Sequence, residues 1–291
     1  MKIRYNLPDI QQSLLYAKLM EAMTMNPEAF YDDFVIECVF GSVSSCIWDA
    51  GMVDIRPSWP CDKIETLAQL YNDLGLPMCL TFTNPLITKE HLHDTYANMI
   101  AKICEAPQNQ ILVSSPILED YLREKYPQYK MCRSILATEN KPYDASDKYY
   151  KTVLKRAWNN NWNLLDTIPE NERTKIEILC NDPCPDNCPY IYSHYARHAQ
   201  YQLMLGNTDV DPNCWMRHVI GNNQEKFTRE TKAYISRQMI VNEYLPKGFN
   251  QFKLAGRGSL IFATIAILDY LVKPEYRDDI MIHLLKDAIN F

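Results

Sequence analysis

The sequence predicts a single α/β domain across residues 1–291, a (β/α)8 TIM-barrel-like fold with room for irregularity. Three observations predict it. Short runs rich in β-branched and aromatic residues recur along the chain, and most are followed by an amphipathic helical stretch. The connections between them are short. No low-complexity tract or long linker divides the chain. About eight such β-then-α units favour a parallel barrel, with an open doubly wound sheet as the alternative.

The first unit reads as a strand at Lys2–Leu7 and a helix from Asp9 past Met23, with Asp9 as the expected N-cap after Pro8. Phe34–Phe40 is apolar except for Glu37, as expected of a buried parallel strand, and Gly41-Ser42 ends it. A helix near Asp62–Leu74 closes at Gly75. The strand Met78–Phe82 ends at Thr83-Asn84-Pro85, and Thr88 is the expected cap of the helix that follows. Gln110–Val113 and Lys130–Leu136 are strands around a helix at Pro116–Lys125. Lys151–Ala157 and Lys175–Leu179 are further strand candidates. Gln251–Leu254 is the last, followed by Gly256-Arg257-Gly258-Ser259 and a strongly apolar helix, Leu260–Val272. The Pro- and Asn-rich segment beginning at Cys180 and the polar stretch after Gly206 read as one cysteine-rich insertion, about 180–224.

Composition narrows the function. With 47 % hydrophobic and 23 % charged residues, the chain is an ordinary globular protein. A net charge of −6 argues against coating nucleic acid by bulk attraction, although the basic run Lys151, Lys155, Arg156 keeps RNA open. Leu260–Val272 is too short to span a bilayer and carries Asp269, so no membrane partner is expected. The N-terminus lacks the apolar core of a secretion signal, which predicts a cytoplasmic protein. In that compartment ten cysteines are not a disulfide framework. Cys38, Cys46, Cys61, Cys79, Cys104 and Cys132 are scattered, mostly in apolar runs where a thiol acts as a small hydrophobe.

The remaining four cysteines lie close together. Cys180, Cys184 and Cys188 follow one another at a spacing of four in a proline-stiffened loop, with Cys214 beyond. Four thiolates are the shell used by iron–sulfur clusters and by structural zinc. A zinc site from Cys184, Cys188, His194 and His198 is the alternative, weakened by the short gap between Cys188 and His194. Several strands also end in small, amide or charged residues, among them Asn84, Asn181 and Arg257, and barrel enzymes keep their chemistry at this C-terminal rim. Arg257, in a glycine-rich turn just before a helix, is the expected contact for an anionic ligand. Arg133 and Arg156 either add charge at the same rim or pair with a carboxylate such as Glu37 or Glu177.

Thr81-Phe82-Thr83-Asn84-Pro85, Ser115-Pro116-Ile117-Leu118, Asn181 with Cys184-Pro185-Asp186-Asn187-Cys188-Pro189, and Phe252-Lys253-Leu254-Ala255-Gly256-Arg257 come in an order that resembles the collagenase-like peptidase family, peptidase U-32. The resemblance runs from about Phe34 to Arg257. It implies a (β/α) barrel and, as in several members, a 4Fe–4S cluster held by Cys184 and Cys188, with Cys214 as the late ligand and Cys180 as the early one. The family's early cysteine usually lies further upstream than Cys180. In a shorter ubiquinone-pathway branch it follows the second strand, which points to Cys46 as the alternative fourth ligand.

The activity the resemblance implies is oxygen-independent hydroxylation of a small molecule or an RNA base, with a prephenate-like anion among the substrates. Arg257, Asn84, Asn181 and Arg133 are then the substrate contacts. The peptidase name implies hydrolysis instead, but the sequence has no Gly-x-Ser-x-Gly elbow and no His-Glu-x-x-His helix. The sequence also lacks the C-terminal extension of the longer members that act on RNA. That favours a small molecule or a protein partner, and a non-enzymatic, metal-stapled interaction protein is the third reading.

Overall fold

A computed structural model of the chain describes residues 1–51, 54–137, 141–182, 184, 188–205 and 234–286. Its eight parallel strands close into a barrel in sequence order. They are β1 (Ile3–Pro8), β2 (Phe34–Gly41), β3 (Met78–Phe82), β4 (Gln110–Val113), β5 (Lys130–Arg133), β6 (Lys151–Val153), β7 (Ile176–Leu179) and β8 (Gln251–Lys253). Parallel neighbours cannot be joined by a hairpin, so helices cover the outside as the chain returns. They include α1 (Ser13–Met25), α2 (Cys61–Asp73), α3 (Thr95–Ile103), α4 (Pro116–Lys125), and the single turns α5 (Trp162–Leu165) and α6 (Glu170–Arg173). The barrel is the predicted fold, and the open-sheet alternative falls because β8 pairs with both β1 and β7.

Alternation along each strand makes two interiors. Outward residues such as Tyr5, Leu80, Phe82, Ile111, Ile178 and Phe252 pack under the helices in the main core. Inward residues Cys38, Phe40, Cys79, Leu112, Cys132 and Val153 form a separate lumen cluster. The lumen also holds Asn6, Lys151, Glu177 and Lys253, all buried, where most such barrels use branched apolar side chains. A β-bulge contributes to this. Tyr5 is level with Ile36 but Asn6 is level with Cys38, so Glu37 is the extra residue of β2. Its carboxylate accepts from Gln110 Nε2 (3.1 Å) and Tyr150 Oη (2.7 Å) and pairs with Arg4.

Two helix starts differ from expectation for local reasons. Asp9 does not cap α1. Its φ of +70° turns the chain sharply, and its carboxylate accepts from the amides of Gln11 (3.1 Å) and Gly258 (2.9 Å). Thr88 is followed by a 3-10 turn, Glu90–His93, and Asp94 caps α3 instead, accepting from the Ala97 amide at 2.7 Å. Strand β6 is shorter than predicted and gives way to a 3-10 turn at Arg156–Trp158. Gly256 sits at φ +152°, and a Cβ there would lie 2.9 Å from Pro8 Cγ, so only glycine lets the chain after β8 pass over the end of β1.

The segment after β7 departs from the regular unit. The Cys180 carbonyl accepts from the Ile235 amide at 2.8 Å, so the chain leaves and rejoins the barrel at one place. The return continues through a helical stretch that passes from α (Arg237–Met239) to π (Ile240–Tyr244) to 3-10 (Leu245–Lys247) before β8. The excursion's described helix is α7 (Ile191–Gln202). Among the described residues, no helix is long and apolar enough to cross a membrane.

Candidate active site

Helix α7 lies across the C-terminal mouth of the barrel instead of along its side. Near its start, Tyr195 Oη accepts from Arg156 Nη2 at 3.0 Å, just beyond β6. At its far end, Gln202 Nε2 donates to the carbonyls of Cys46 (3.1 Å) and Asp54 (3.0 Å), and its Oε1 accepts from the Asp54 amide at 3.1 Å. Asn84, just past β3, donates to the carbonyls of Ala199 (3.3 Å) and Ile47 (2.9 Å). Strand β6 stands opposite β2 in a ring of eight, and twelve helical residues reach about 18 Å. The helix therefore bridges the opening from one side to the other.

Beneath it the charges are concentrated and largely dry. Arg156 is 5 % exposed and pairs with Asp182. Burial works against its charge, but Asp182, then Tyr195 and Cys184, hold it firmly as a cation. Among the described residues, its Nε and Nη1 are buried without a hydrogen-bond partner. Arg257 comes from the turn after β8. Its Nη1 donates to Thr81 Oγ1 at 3.1 Å and lies 3.7 Å from Asp49 Oδ2. Asp49 is also held by the Thr81 hydroxyl (3.1 Å) and the Thr83 hydroxyl (3.3 Å). Burial pushes its carboxyl pKa up, and Arg257 only partly restrains it.

Both guanidinium groups act on Tyr195. Burial raises its hydroxyl pKa, and the charges of Arg156 and Arg257 oppose the rise. His198 packs on His194 with ring centroids 4.2 Å apart. Burial, His194 and Arg257 lower its pKa to about 4, which makes it a neutral imidazole at physiological pH. Its Nδ1 is buried and lacks a hydrogen-bond partner among the described residues. Buried polar atoms are nearly always satisfied, so open donors and an open ring nitrogen at one mouth suit a ligand or ordered water.

One layer down, Lys151 Nζ lies 2.6 Å from Glu177 Oε2 and also donates to Asn6 Oδ1. Burial opposes both charges, yet Cys38 and then Glu177 hold Lys151 protonated, and Lys151 and then Lys253 hold Glu177 ionised. Removing one member of such a pair costs about 3–5 kcal/mol, so its first role is structural. Lys253 Nζ is the second cation on Glu177, at 3.6 Å from Oε1, and stands 3.8 Å above the Phe40 ring. Arg257 Cζ is 5.8 Å from the same ring.

The predicted site residues fall into distinct places. Arg257 is at the centre of the mouth. Asn84 anchors α7, and Asn181 anchors the turn after β8 through the Ala255 carbonyl (3.1 Å) and amide (2.6 Å). Arg133, at the end of β5, donates to the Ala137 carbonyl and meets neither Glu37 nor Glu177. Arg156 pairs with Asp182 instead, while Arg4 holds Glu37 and Lys151 holds Glu177. Of the scattered cysteines, Cys61 is exposed at the start of α2, while the other five are buried. Asp49, Tyr195 and Lys253 were not singled out from sequence. The signal for Asp49 was a Trp-Asp-Ala-Gly turn soon after the second strand, which lacks any periodic pattern.

The cysteines gather only in part. Cys184 lies beside Arg156, with Cys188 near it; burial and Asp182 raise the Cys184 thiol pKa to about 11, Arg156 opposes the rise, and Cys188 adds a small contribution. Cys180 is fully buried in the outer core, where its thiol donates to the Ile178 carbonyl (3.6 Å) and faces the Tyr5, Tyr244 and Tyr270 layer. Cys46 is buried behind the mouth, and burial raises its pKa to about 12. Cys214 lies outside the described residues. No group of three or more potential ligands among the described residues is arranged to hold a metal ion. The described thiols thus offer two of the four donors that a cluster needs.

Neither a family model nor a curated protein matches the sequence. Among solved structures, the U32 peptidase Mk0906 is similar at 15 % sequence identity and a TM-score of 0.47, over 89 % of this chain and 94 % of that one.

Proposed function

We propose that the barrel mouth is the active site of an enzyme acting on a small anionic molecule, held by Arg257 and Arg156 beneath α7. The observation that carries this reading is the pair of guanidinium groups bearing on one tyrosine, with buried Arg156 donors left open and the Arg257 fork only partly engaged. A carboxylate or phosphate matches that fork with two parallel hydrogen bonds. Burial strengthens the attraction because water is excluded. The floor supplies a carboxyl of raised proton affinity, Asp49, and the roof supplies a neutral imidazole, His198; together they are one potential proton donor and one acceptor. A helix laid across the mouth suits a small molecule better than a nucleic-acid strand.

The test is thermal unfolding of the whole chain in the presence of simple carboxylates and phosphates. An anion at a hundred times its dissociation constant adds about 2.7 kcal/mol of stability. Arg257→Met and Arg156→Met are each expected to abolish the gain. If it persists in both variants, the anion is bound elsewhere and the proposal fails.

A further inference from the structure

Lys253 is a buried amine at the base of the site, with no part in the anion contact. It ends β8, is 8 % exposed, and lies between the Glu177 carboxylate below and the Phe40 ring. Lys151 holds Glu177 more closely, at 2.6 Å against 3.6 Å. Lys253 therefore caps the ion pair without being its main member. Its head and that of Arg257 flank one aromatic ring. A molecule whose anionic group rests on Arg257 would bring its adjoining carbons toward Lys253.

Resting on the anion site proposed above, we infer that Lys253 forms an imine with a small aldehyde or ketone that carries a carboxylate or phosphate. Glu177 Oε1, 3.6 Å away, takes a proton from the Lys253 ammonium; the freed amine adds to the carbonyl carbon, and one of its two remaining protons passes to the oxygen, giving a carbinolamine. The hydroxyl then leaves as water with a proton from Asp49. The nitrogen lone pair closes the C=N bond, leaving an iminium ion and an Asp49 carboxylate beside Arg257. No oxidant or reductant is consumed. Burial shields the iminium from hydrolysis, and Arg257 sets the carbonyl within reach.

The experiment is reductive trapping of the full chain with cyanoborohydride and glyoxylate, or glycolaldehyde phosphate as the phosphorylated probe, followed by peptide mass mapping. Lys253 is expected to carry the adduct in about tenfold excess over any surface lysine, the advantage expected of an oriented amine. Arg257→Met should remove that excess. Lys253→Arg keeps the charge beside Glu177 but has no amine to condense, so it should lose the adduct while remaining folded. Adducts spread over surface lysines, with Lys253 unmodified and the thermal gain from glyoxylate intact, would overturn the imine alone. Loss of both the adduct and the anion-dependent thermal gain would overturn the anion site as well.

Discussion

At the residue scale, the position of Arg257 depends on a glycine that carries no charge. A Cβ built on Gly51 would lie 2.2 Å from Arg257 Nη2, so the guanidinium rests directly on that backbone. Gly51→Ala should push Arg257 off Asp49 and Thr81 without altering any charge. We expect anion affinity to fall about tenfold, roughly 1.4 kcal/mol, with global stability changed far less. Calorimetric titration beside a urea melt separates the two, and unchanged affinity would mean that Arg257 is not the contact.

At the element scale, α7 stays over the mouth through a few polar bonds more than through an apolar face, since only Ala199 and Gln202 are buried in it. Gln202→Ala deletes three hydrogen bonds to the β2–α2 connection, each worth about 0.5–1.5 kcal/mol. Amide exchange in residues 191–202 should accelerate while exchange in β1–β4 stays slow. Uniform acceleration everywhere would show the helix to be part of the global folding unit instead.

At the scale of the whole molecule, acid should weaken the fold before ordinary carboxylates titrate. His198 is driven down to about 4 in the folded chain by burial, His194 and Arg257, whereas an unfolded histidine titrates near 6.5. The unfolded state therefore binds the extra proton. The contribution is complete above about pH 6.5 and is lost as pH falls toward 4, amounting to roughly 1–3 kcal/mol. Asp54 extends the loss lower: although burial opposes it, Arg56 and Gln11 hold its pKa at about 2, so its share disappears between about pH 4 and 2. Urea melts at pH 7.5 and 4.5 measure the first loss. His198→Gln should flatten that slope, and an equally steep slope in the variant would assign it to other groups.

The barrel was legible because strands such as Met78–Phe82 are mostly apolar runs between turn signals, each followed by a helical period. Its lumen was not. Lys151 and Glu177 look like surface residues in a linear reading, and only ring closure puts them 2.6 Å apart. Arg257 was visible from its glycine turn, which local geometry alone requires. Asp49 and Tyr195 were hidden because they reach the mouth from a loop and from a helix laid across it, and neither placement leaves a periodic trace. The close spacing of Cys180 and Cys184 suggested a common centre, but alternation along β7 turns Cys180 into the outer core.

The single hydrogen bond between the Cys180 carbonyl and the Ile235 amide has a wider consequence. Where a chain departs and re-enters at adjacent points, the intervening stretch behaves as a plug-in cassette. Loop-closure cost grows only by about 0.6 kcal/mol per doubling of length. Selection could therefore vary the roof, residues 188–205, while the eight staves stayed in register, so that what lies over the mouth evolves apart from the vessel beneath it.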